Sequence, residues 1–167
     1  MSHILRVPAI LVLLALVLLS ALGALAAAGI LTGYQAPVEQ VQSVQAAAAE
    51  SGAAEATWID VGLLAAAAVF FLISSIRLMR RTQGFWTWLL GFAAYGGRWA
   101  WDQQQSGGLL ETIRNVDLGA YANPQAVLGD LSTTEGQLAI LALILIVGVV
   151  VLMVDAADRA YWDKQGA

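Results

Sequence analysis

Arg98 and Asp102 stand four residues apart near the end of the stretch FWTWLLGFAAYGGRWAWD, residues 85–102, with Trp99 and Trp101 between them and Tyr95 just before. On a helix the two charges share a face. A guanidinium among indole rings suits the holding of an anion, through bidentate hydrogen bonds to a carboxylate or phosphate and stacking on the aromatic faces. The same pair also fits an interfacial anchor, in which Arg98 is neutralised by Asp102 and reaches toward the lipid headgroups. Asp60 and Glu135 invite comparison with a paired carboxylate site for protons or cations. Each, however, stands three residues after a hydroxyl, in Thr57-x-x-Asp60 and Ser132-x-x-Glu135. That is the pattern of a capping box, where the carboxylate takes an orphan backbone N–H and complements the helix dipole. An enzyme would have to draw on Arg98, Asp102, Glu111, Asp117 and Tyr121. No nucleophile–base pair, phosphate loop or metal-ligand spacing accompanies them, and the chain reads as non-catalytic.

The residue types that are missing narrow the chemistry further. The 167 residues include no cysteine and one histidine, His3 at the N-terminus. Disulfides, thiolate metal sites, iron–sulfur clusters and a histidine-ligated haem within a bundle are therefore not expected, and no cofactor or metal is assigned. Nucleic acid is not an expected partner, since no basic group exceeds Arg77, Arg80 and Arg81. With 59% hydrophobic and 12% charged residues, the chain carries too few charges to solvate a soluble domain of this size. The expected solvent is a lipid bilayer.

The elements that must position these groups follow from where the charges are absent. The pattern predicts an all-α integral membrane protein, a single membrane domain over residues 1–167 with four transmembrane helices. The spans fall at about 7–31, 58–76, 85–101 and 136–155, with polar, partly helical loops on the outer side at 33–56 and 103–132 and a cytoplasmic turn at 77–84. Val7–Leu31 has no charge in 25 positions, about 37 Å as a helix, with Pro8 placed in its first turn. A cleaved signal peptide ending at Ala24-Leu25-Ala26 competes with a retained first span. The apolar run continues past Ala26 without a polar stretch, which favours retention. Trp86 and Trp88 at one end, and Trp99 and Trp101 at the other, bracket the third span as interfacial aromatics do. If that span starts at Phe85, Arg98 lies roughly 20 Å along it.

Ser20, Ala24 and Ala28 on the first span, and Gly91, Ala93, Gly96 and Gly97 on the third, allow close helix packing. Thr87, Tyr95, Ser74 and Ser75 can hydrogen-bond between helices or to their own backbone. In the loops, a short helix is expected from Pro37 to about Glu50. Leu109, Leu110, Ile113 and Val116 predict an interfacial helix, and Asn123-Pro124 a helix start. Asp155 and Arg159 are spaced to pair along the last helix.

Orientation follows the basic residues. Arg6, Arg77, Arg80, Arg81, Arg159 and Lys164, six of the eight, fall together if both termini are cytoplasmic in a bacterial inner membrane, leaving Arg98 and Arg114 opposite. Charges are absent from the middle of every predicted span, where a pump or ion-coupled transporter would need one. The expectation is an accessory subunit or assembly factor that binds a membrane-protein partner or a second copy. The alternative is a small transport or ligand-binding protein holding a lipid-like or anionic molecule near Arg98 at the outer leaflet.

Overall fold

Long apolar runs leave the backbone no water to bond to, so its N–H and C=O groups must find each other within the chain. In the computed structural model, which describes residues 2–33, 42, 57–123 and 133–165, they do so as helices, with no strand among the described residues. The order is α1 (Ser2–Thr32), α2 (Trp58–Met79), α3 (Phe85–Ser106), the short α4 (Leu109–Arg114), a 3-10 turn at Leu118–Ala122, and α5 (Thr134–Gln165). The expected helix after Pro37 and residues 124–132, Pro124 and Ser132 among them, lie outside the described residues. α1 starts earlier than its apolar run, so Pro8 sits inside the helix rather than in its first turn. Its missing N–H removes one ladder bond there.

Helix ends obey local chemistry. Thr57 caps α2, its hydroxyl accepting from the Asp60 N–H while the Asp60 carboxylate takes the Thr57 N–H at 2.7 Å. At the other end of α2 the Thr82 N–H donates to Arg77 O at 2.9 Å and the Arg81 N–H to Leu78 O at 3.3 Å. These two bonds form a Schellman motif whose left-handed position is Arg81, with φ 56°. Glycine is the usual occupant, because a Cβ there costs on the order of 1 kcal/mol.

Buried positions recur at alternating steps of three and four. On α2 they include Asp60, Leu64, Ala67, Phe71, Ser74 and Leu78, with Ala68 and Ser75 flanking them. On α1 they include Arg6, Ala9, Leu13, Leu16 and Ser20, and on α5 Ile140, Ile144, Val147, Val151 and Val154. This 3.5-residue period sets helices into the shallow left-handed packing of bundles. α1 and α3 each pack against both α2 and α5, so four helices close into an antiparallel ring.

Glycines and small residues set the close approaches. A Cβ on Gly23 would lie 3.3 Å from Leu64, and one on Gly91 would lie 2.7 Å from the Phe71 ring. Ser20 is fully buried and Ala24 nearly so, while Ala28 is half-buried. The Trp88 ring lies over Gly148, leaving no room for a Cβ, and its indole N–H donates to Ile144 O at 3.2 Å. Phe85 and Phe92 stack on either side of Trp88, with centroids 5.3 and 5.7 Å away. Gly96 approaches Leu141, whereas Ala93 and Gly97 face outward with nothing near Gly97.

The outer surface of the ring is apolar. Leu11, Leu18, Val69, Leu90, Ile146 and Val149 are all more than half exposed or close to it. Among the described residues three helices are long and apolar enough to cross a membrane: Ile4–Thr32 within α1, α2, and Thr134–Tyr161 within α5. With their outward faces oily and their polar side chains turned inward, a bilayer is the environment they suit. α3 matches α2 in length at 22 residues, yet its glycines, Arg98, Asp102 and three glutamines keep it out of that class.

The two kinds of glycine predict opposite outcomes. Gly148→Ala should lower stability by about 1–3 kcal/mol through overpacking against Trp88, whereas Gly97→Ala should be neutral or slightly stabilising. Thermal unfolding of the two purified variants in detergent checks this pair.

Candidate functional site

Polar side chains gather at the two ends of the ring. At the end where α2 begins, Asp60 does two jobs at once. Its Oδ2 accepts from the Thr57 N–H and, at 2.8 Å, from the Thr57 hydroxyl; its Oδ1 accepts from Arg98 Nε on α3 at 3.3 Å. Arg98 Nη2 reaches Asp102 Oδ2 at 2.9 Å. The pairing of Arg98 with Asp102 is thus the one the spacing predicts. The tie to Asp60 is added by the antiparallel packing of α2 on α3, which carries the start of one helix to the end of the other. Asp60 is buried, with its side chain 5% exposed, and Arg98 one-third exposed.

Of the aromatic half of the anticipated anion site, Tyr95 lies within reach of the Arg98 charge. Trp99 is buried with its Nε1 unpartnered among the described residues, Trp101 is exposed, and Tyr95 is half-buried. The stacked rings belong to Phe85, Trp88 and Phe92 instead, at the far end of α3. Two carboxylates engage one guanidinium, so Arg98 is already occupied where an incoming anion would need it. What the geometry does well is fasten α2 to α3.

The remaining acid–base candidates form a separate group around the start of α5. The Glu135 carboxylate accepts from the Asp117 N–H at 3.2 Å, and the Tyr121 hydroxyl donates to Glu135 O at 3.1 Å. Burial and the neighbouring Glu135 carboxylate raise the Tyr121 pKa, which keeps the phenol protonated as a donor. Asp117 also caps the 3-10 turn through the Gly119 N–H, and Glu111 is exposed on α4. The Ser132 half of the expected Ser132–Glu135 box lies outside the described residues. Among the described residues Thr133 Oγ accepts from the Gly136 N–H at 3.1 Å, and Glu135 holds the loop through Asp117. Among the described residues no group of three histidines or carboxylates gathers that could hold a metal.

The opposite end holds the group that spacing alone misassigns. Asp155 is 2% exposed, and its Oδ2 accepts from the Gly84 and Phe85 N–H groups, each at 2.9 Å. The i, i+4 spacing predicts a pair between Asp155 and Arg159. Instead Asp155 caps α3, because backbone donors at a helix start in an apolar interior have no other acceptor, whereas an exposed arginine has water. Ser74 completes the arrangement by donating to Gly84 O at 3.0 Å. Beside it, Arg6 on α1 bonds both oxygens of Asp158 on α5, with the Oδ2 contact at 2.6 Å. Neither tie is visible from i, i+4 spacing. The available signal was register: Arg6 and Asp158 continue the three-and-four seam of their helices, as Asp60 does on α2.

The fold and its ties define an all-helical bundle with three membrane-length apolar helices, cross-linked at both ends by charged and polar side chains. No protein family, curated protein or solved structure matches the chain.

The three carboxylates should rank by what they leave unpaired. Asp155→Ala should cost about 1–3 kcal/mol by stranding buried amides. Asp60→Ala should cost about 1 kcal/mol for the cap and more for the lost tie. Asp102→Ala, a half-exposed pair within one helix, should cost no more than about 0.5 kcal/mol. Denaturation midpoints of the purified variants in one detergent test the order.

Proposed function

We propose that the protein is a non-catalytic, four-span inner-membrane protein that serves as an accessory subunit or assembly factor of a larger membrane complex. The observation carrying this reading is the engagement of Arg98, its most chemically equipped residue, by Asp60 and Asp102. The group that would hold a ligand instead holds two helices together.

α3 is the fourth span in this reading. Its 22 residues reach about 33 Å, and it packs between α2 and α5, two helices of membrane length and composition. A helix tied to α2 near both its ends and to α5 at its start shares their solvent. The segregation of basic residues puts both termini in the cytoplasm of a bacterial cell. Retention of α1 is supported by its buried seam and by Arg6, since cleavage after Ala26 would remove one wall of the ring. The partner surface is the outward face of α3, where Ala93 and Gly97 admit a close backbone between exposed Trp86, Leu90 and Trp101. The alternative, a lipid-like or anionic ligand near Arg98, is disfavoured by the engagement of that guanidinium with Asp60 and Asp102.

Purification from source membranes in mild detergent should recover a second protein in fixed stoichiometry, and Gly97→Leu should release it without unfolding the bundle. A lone, monodisperse protein would count decisively against the reading. Topology is tested separately, using the absence of native cysteine. A membrane-impermeant maleimide applied outside should label Gln105→Cys and leave Gln83→Cys unlabelled.

A further inference from the structure

Thr112 fixes which way the short helix α4 faces. Its hydroxyl donates to Gln103 Oε1, on the last turn of α3, at 3.0 Å. Leu110 and Ile113, three apart, share a face turned away from Thr112 and are 84% and 52% exposed. We propose that α4 lies along the membrane surface, with Leu110 and Ile113 inserted among the acyl chains of the adjoining leaflet. The proposal needs only the bilayer environment and is independent of the partner assigned to α3.

Depth is the first argument. The membrane-length helix α2 begins at this end of the ring, and the Asp60–Arg98 tie sets the end of α3 beside that start. The exposed indoles of Trp58 and Trp101 sit there as interfacial aromatics do. α1 agrees: Gly23 approaches Leu64, and the helix stays apolar to Leu31, about as far as the first turn of α2. Gln103 lies two residues past Trp101, only about 3 Å further along the axis. The headgroup layer beyond the hydrocarbon is about 5–7 Å deep on each side.

The second argument is the path of the chain. Gly107 and Gly108, with φ 155° and 107°, take conformations that a Cβ disfavours, and the Gly108 N–H donates to Gln103 O at 3.0 Å. The Thr112 bond then brings α4 back to the flank of α3. It does not stand off into water.

The third concerns what can cover the face. It continues the apolar outward surface of the ring, which suits a bilayer. Glu111 and Arg114 stand beside it, both exposed, at a depth where headgroups and water solvate charge. A stable protein interface needs about 800 Å² from each partner, far more than two aliphatic side chains present. Insertion into lipid needs no such area, because a helix with one apolar face seats itself at the acyl boundary.

The chain has no native cysteine, so Leu110→Cys, Ile113→Cys, Glu111→Cys and Asn115→Cys can each carry a single fluorophore. All four side chains are exposed, so the labels leave the packing of the bundle untouched. Each full-length protein is placed in phosphatidylcholine nanodiscs, which hold no other protein and leave both faces open to water. A nitroxide near the top of the lipid acyl chain should quench labels at Leu110 and Ile113 severalfold more than labels at Glu111 and Asn115. Iodide in the water should give the reverse order. Equal quenching of all four by either agent overturns the proposal. So does shielding of Leu110 and Ile113 from both agents, which would place them against protein.

Discussion

The carboxylate of Asp155 sits where the ring is hardest to close. α3 is the least apolar of the four long helices, and its first amides open into the interior beside α2 and α5. Gly84 carries no side chain that could cap them, and a Cβ there would press on Ser74 O at 3.2 Å. The acceptor therefore comes from another helix. With the amides held, the Phe85, Trp88 and Phe92 rings fall into their stack and the indole of Trp88 finds Ile144 over the bare surface of Gly148. The far end of α3 then reaches Asp60.

Every seam of the ring has a device of this kind, and the four differ. α1 and α2 meet through small residues that bring their backbones close. α2 and α3 meet through the Phe71 ring on Gly91, the Ser74 hydroxyl and the Asp60–Arg98 tie. α3 and α5 meet through an indole and a buried carboxylate, and α5 and α1 through Arg6 and Asp158. Lipid tails compete for apolar contact as well as any leucine does, so helices in a membrane need shape or hydrogen bonds to choose their neighbours. Polar groups distributed one seam at a time give each helix a distinct partner. They also leave the outward surface free of charge along its middle, as the surrounding hydrocarbon requires.

Much of this architecture was legible in the order of residues. The apolar runs, the Thr57–Asp60 box and the glycine-bearing third helix are all local patterns, and the structure carries them. What local pattern could not supply is partner choice. Asp155 and Arg159 obey the i, i+4 rule as well as Arg98 and Asp102 do, yet only the second pair forms. The difference lies in the competitor each acid meets, which for Asp155 is a row of unsatisfied amides seventy residues away in sequence. The small residues of α3 were also visible as a group without their division being so: Gly91 and Gly96 turn inward, Ala93 and Gly97 outward. Because nearly every residue in these runs is apolar, the buried seam is hidden from a search for amphipathic faces. It emerges only when the charged residues near the ends are read as its continuation.

The position of Asp155 so late in the chain has a consequence for biogenesis. The ribosome makes Gly84 and Phe85 roughly ten seconds before it makes the carboxylate that caps them, at ordinary rates of elongation. For that interval the first amides of the nascent third helix have only water, the translocon or their own neighbours to bond. A later helix thus completes an earlier one, and a chain interrupted between them would lack the very group that caps its third helix.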